Sequence, residues 1–113
     1  MIRARLATPI ALCLIGGTGF AAEAPPSGEA VYQHWCAPCH APGPGHPGTQ
    51  SLQVKYGGKL PSVLLERTDL SAQAIATFVR TGVLSMPPFR KTEVTDAQLA
   101  ALATYLTSAV KQR

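Results

Sequence analysis

Apolar positions fall along this chain in blocks of two kinds. Residues 6–17 form a largely apolar run behind a short basic start, and past residue 26 the apolar positions recur at helical spacing over short distances. Ser27 is placed to cap a helix reaching about Trp35, with Ala30, Val31 and Tyr32 available for an inward face. The stretch 41–48 is crowded with proline and glycine and reads as loop. A turn of helix over 52–56, ended by Gly57 and Gly58, and a short helix over 61–67 opened by Pro61 follow. Ser71 caps a helix over 72–81 that carries Ile75, Phe78 and Val79 on one face and meets a natural stop at Gly82. The segment "VLSMPPFRKTE" is a loop, because paired prolines fit neither a helix interior nor a central strand. Thr95 and Gln98 make a capping box for a last helix to about Val110, with an apolar stripe through Leu99, Leu102, Leu106 and Val110. No segment alternates as a strand would. The predicted fold is all-α, with short helices joined by long loops and no internal repeat.

The apolar block at the start has a different meaning. Arg3 and Arg5 precede it without an acid, and small residues in "GTGFAAEA" follow it, which is the pattern of a secretory signal peptide cut after Ala21 or Ala22. The run is well short of the ~20 residues of a spanning helix. The expected organisation is a leader over 1–22 and one domain over 23–113, exported to the periplasm without a stable membrane anchor. Cys13 leaves with the leader, so the three cysteines become Cys36 and Cys39. Ten Lys and Arg less Arg3 and Arg5 leaves eight against six Asp and Glu, a mature balance of +2 with no basic stripe to suggest nucleic acid. What remains is a small domain poor in aromatics and rich in alanine, glycine and proline. Such a chain needs something besides its own side chains at its centre.

The stretch "HWCAPCHAPGPGHPG" supplies a candidate. A thioredoxin-like thiol pair requires a βαβ setting that this chain lacks. A structural zinc site would draw on Cys36, Cys39, His40 and His46, yet the adjacent Cys39 and His40 suit a single tetrahedral centre poorly. Covalent haem attachment fits best. Two thiols with two residues between them match the haem vinyl groups, and the histidine behind the second cysteine takes the iron, the arrangement read from C-x-x-C-H. The second axial side then calls for a ligand, and Met86, the one methionine outside the leader, stands in a proline-stiffened loop suited to the task.

"CAPCH", the downstream "MPPF", the opening "GEAVY" and the closing "LAALATYL" together resemble a small single-haem cytochrome c of the His/Met type, over nearly the whole mature chain. The resemblance implies a cytochrome c-like fold wrapped around one covalently bound haem c. It assigns Cys36 and Cys39 to attachment and His40 and Met86 to the iron. It also implies a crossing of first and last helices at Gly28 beside Tyr32 and Tyr105. The family often places a proline carbonyl on the proximal histidine; here Pro44 or Pro47 stands in range along the sequence, and Pro47 is the expected partner. Tyr56, Lys59 and Arg67 are candidates for the haem propionates; His34 reads as an exposed helix residue and His46 as a loop residue, with misligation in place of Met86 the alternative; Arg90 and Lys91 read as an exposed pair, with a docking face the alternative. No catalytic residue is expected.

The implied function is electron transfer from a redox partner, such as a dehydrogenase, to a downstream acceptor. The stretch "SMPPFRKTE" also resembles the cytochrome subunits that serve flavin-dependent alkylphenol hydroxylases of p-cresol methylhydroxylase type. The competing readings are a peroxidase-like or gas-binding haem protein with an open sixth site, and a small zinc or thiol module.

Overall fold

The computed structural model describes residues 24–109; the leader expected over 1–22 and Val110 of the expected last stripe lie outside them. The described chain is helical. A helical run begins at α1, Gly28–Val31, where the Ser27 side chain accepts the amide of Ala30 at 3.2 Å. It then widens into a π turn over Tyr32–Cys36 and tightens again as α2, Ala37–His40. The Ala37 N–H reaches back five residues to the Tyr32 carbonyl. The first helix therefore does not stop near Trp35 as expected but carries the whole "CAPCH" motif. Cys36, Cys39 and His40 stand at helical spacings of three and four, on one face.

The proline-rich loop is also shorter than expected. Pro47 opens α3, Pro47–Tyr56, because a proline at the first helical position loses no hydrogen bond there. The helix ends at Gly57, whose φ of 54° places it in the left-handed region that glycine enters most cheaply. The helix expected over 61–67 is reduced to one 3-10 turn, Leu64–Glu66. Val63 before it and Arg67 after it are extended, and no side chain caps the turn. Two helices form as the pattern predicts: α4, Ala72–Thr81, capped by Ser71, and α5, Asp96–Ser108, with both halves of the Thr95–Gln98 capping box made.

The core lies where α1 and α4 pack on α5, around Val31, Tyr32, Ile75, Val79, Val94, Leu99, Leu102 and Leu106. Gly28 is a point of close approach between α1 and α5. A Cβ there would stand 2.1 Å from the Ala101 carbonyl oxygen and 2.7 Å from the Tyr105 Cβ. Tyr32 and Tyr105 meet alongside, with ring centroids 5.8 Å apart. This is the crossing anticipated at Gly28.

Candidate haem site

Beside this core a cavity of about 490 Å³ opens between α3, α4, α5 and the loop after α4, a size usual for a small-molecule or cofactor site. Its walls are mainly apolar. Leu52, Leu64, Leu70, Ile75, Leu102 and Leu106 form much of them. Val54, Phe78, Val83 and Leu84, the large apolar residues left exposed among the described ones, line it too, with Leu84 at 95 % exposure. Leaving so much apolar surface in water is unfavourable, and an apolar occupant would cover it.

Cys36, His40 and Met86 all reach this wall. Cys39 is exposed and is not on it, although the helical spacing puts it one turn from Cys36 on the same side. Burial pushes the Cys36 thiol up to about 11, with the neighbouring Cys39 acting in the same direction, so the thiol is protonated at neutral pH. Burial also lowers the His40 pKa, keeping the imidazole neutral and its lone pair free for a metal.

The segment bearing these groups is tied down by its carbonyls. The Tyr32 hydroxyl donates to the His40 carbonyl at 3.1 Å, Thr49 Oγ1 to that of Ala41 at 2.9 Å, and His46 Nδ1 bonds that of Pro38 at 3.0 Å. These are backbone oxygens at a helix end, where the helix itself supplies no donor. None of the three contacts was legible in the spacing of the motif. His46 is thus engaged away from the cavity and His34 is exposed, edge-on to Trp35; neither lines the wall. Among the described residues no three of His, Cys, Asp and Glu gather as a metal cluster, so the four zinc ligands considered from sequence are not assembled.

The bond expected from His40 to the Pro47 carbonyl is not made. His40 Nδ1 is buried without a partner, and neither Pro47 nor Pro44 reaches it. Pro47 is the first residue of α3, so its carbonyl points along that helix toward the amide four residues on. It is Gly48 that lies against the ring. A Cβ there would meet His40 Cε1 at 2.7 Å and Nδ1 at 2.9 Å. Nδ1 is thereby enclosed at the start of α3, leaving Nε2 as the nitrogen with access at the cavity wall.

Arg67, also on the wall, is buried, grips Asp69 through Nε and Nη2 at 2.6 and 2.5 Å, and lies 4.7 Å over the Tyr56 ring. The paired Asp69 holds the guanidinium well above its already high pKa, so its charge is permanent. Of the three propionate candidates Arg67 and Tyr56 line the cavity and Lys59 does not, while Lys55 does. Arg90 and Lys91 are held in ion pairs with Glu93 and Asp96.

The residues present fit a haem. An apolar cavity carries a thiol, a neutral imidazole with one nitrogen enclosed, a thioether and a buried cation on its walls. A family model described as Cytochrome C oxidase, cbb3-type, subunit III matches residues 23–106. Neither the curated proteins nor the solved structures yield a match.

Proposed function

The chain belongs to the cytochrome c domain family described as Cytochrome C oxidase, cbb3-type, subunit III, and we propose that within it this protein is an exported single-electron carrier with one covalently attached haem. Membership makes it a small c-type cytochrome whose work is electron transfer. The observation that carries the finer reading is the convergence of Cys36, His40 and Met86 on one apolar cavity.

When bound, the haem supplies the Fe(III)/Fe(II) couple. In the proposed arrangement Cys36 and Cys39 would hold it through thioethers, so that its retention would not depend on burial alone. His40, through Nε2, and Met86, through its sulfur, would supply the protein's ligands to the iron. Two protein ligands would leave the iron no open site for a substrate, and the haem would supply electron exchange without bond making or breaking. A thioether ligand and an apolar wall both favour the reduced, less charged iron. Arg67, fixed by Asp69, and Tyr56 would receive the propionates. The leader over 1–22 supports export to the periplasm, and no helix among the described residues is long and apolar enough to cross a membrane. The donor we propose is a dehydrogenase; the "SMPPFRKTE" resemblance alone nominates a flavin-dependent alkylphenol hydroxylase. Electron-transfer contacts of this kind are small and short-lived.

Carbon monoxide separates this reading from an open-site haem protein. The reduced protein at neutral pH is expected to leave its absorption spectrum unchanged on mixing with carbon monoxide. A rapid spectral change would instead assign a free sixth site and a ligand-binding or peroxidase-like role.

A further inference from the structure

Met86 belongs to a loop whose two ends are held very differently. On its upstream side the Val83 and Met86 backbones exchange hydrogen bonds at 3.0 and 2.9 Å across a two-residue turn. Leu84 in that turn has a φ of 51°, a left-handed conformation that a leucine adopts only at a cost. This end is closed by local bonds alone and contains a strained residue.

The downstream end is anchored from three directions on one residue, Phe89. Its N–H donates to the Val79 carbonyl at 2.7 Å, its carbonyl accepts from Arg80 Nη1 at 3.0 Å, and its ring meets Trp35 edge-on with centroids 5.7 Å apart. Arg80 does more than close one bond. Its Nη2 reaches Asp96 Oδ1 at 2.9 Å, and the other Asp96 oxygen accepts from Lys91 at 2.8 Å. Lys91 and Arg80 together hold the Asp96 carboxyl below the usual carboxylate range. A single guanidinium, three-quarters withdrawn from solvent, thus joins the end of α4, the end of the methionine loop and the start of α5. Arg80 is not on the cavity wall, so no cofactor accounts for it.

We propose that Arg80 is a positioning residue for Met86, fixing Phe89 so that the loop presents the methionine sulfur to the cavity in preference to a withdrawn conformation. The inference rests on the reading of Met86 as axial ligand. Pro87 and Pro88 transmit the constraint, because two prolines in succession leave little torsional freedom between the anchored Phe89 and Met86. Releasing the Phe89 carbonyl removes a hydrogen bond to a charged group, and the withdrawn loop gains in population accordingly.

Exogenous imidazole reads that population directly, since it occupies the iron only when the sulfur has left. The assembled ferric protein would be titrated with imidazole as wild type, Arg80→Met, Arg80→Lys, Asp96→Asn and Met86→Ala, with the denaturant midpoint of each recorded. Arg80→Met, which keeps the apolar stem, is expected to tighten apparent imidazole binding by about tenfold, the size of one charge-assisted hydrogen bond. Arg80→Lys is expected to tighten it less, because an ammonium reaches one of the two acceptors but not both at once. Should Arg80→Met fail to accumulate, Arg80→Lys and Asp96→Asn, each removing one prong, carry the test with shifts in the same direction. Variants that lower the denaturant midpoint while leaving imidazole affinity at the wild-type value would reduce Arg80 to a structural residue and overturn the proposal. Met86→Ala distinguishes the two ideas: if that variant does not itself tighten imidazole binding strongly, the axial role of Met86 fails, whatever Arg80 does.

Discussion

Gly28→Ala is expected to destabilise the assembled protein by about 3 kcal/mol, the upper part of the range for overpacking. For a domain of this size that is a fall of roughly 12–24 °C in Tm, measured by circular dichroism. The cause is local and geometric. The new methyl group would stand 2.1 Å from a backbone oxygen and 2.6 Å from its carbon, both in Ala101. Neither atom can turn aside as a flexible side chain would, so α1 and α5 must separate along the crossing. Tyr32 and Leu102, almost wholly buried beside it, lose contact as they do. The loss of packing far exceeds what alanine gains over glycine in helix propensity. An unchanged Tm would mean that the two helices do not meet at this point.

Met86→Ala has the second large effect, on the cofactor in place of the fold. Loss of the thioether is expected to lower the midpoint potential on the order of 0.2 V, well within the ~0.8 V that axial ligands span in haem proteins. The direction follows from the ligand: sulfur stabilises ferrous iron, and the water that replaces it does not. The loop itself should persist, because its anchors are on Val83 and Phe89 and do not use the methionine side chain. Spectroelectrochemical titration checks this. A potential indistinguishable from wild type would point to another axial group. His34 and His46 are poorly placed for that part, one exposed against Trp35 and the other bonded to Pro38.

Much of this was legible in the residues themselves. Ser71 with Gly82, and Thr95 with Gln98, are start and stop signals whose mechanism is local, and both helices begin where those side chains place them. The helix crossing was available from the resemblance because a glycine at a close approach leaves a fixed mark. Where the structure departs from that reading, contacts absent from the local spacing accompany the change. The "PGPGHPG" stretch has loop composition, yet α3 starts within it, with Pro47 at the helix start and Thr49 bonded back to Ala41. The expected helix over 61–67 shrinks to one uncapped turn between extended residues, and Arg67 turns to Asp69 two residues on and to Tyr56. The π turn left no sequence signal that spacing alone would reveal. At the site, Cys36, His40 and Met86 could be picked out by chemistry. Gly48 against the imidazole, and Arg80 with Trp35 on Phe89, depend on segments brought together only by the fold.

The central claim is a haem joined to this polypeptide through two sulfurs, and denaturing mass spectrometry of the exported protein tests it most directly. The account predicts a mature chain heavier than its sequence by one haem, with the added mass retained on the peptide containing Cys36 and Cys39. A chain at its bare sequence mass, colourless and with both thiols free to react, would contradict it.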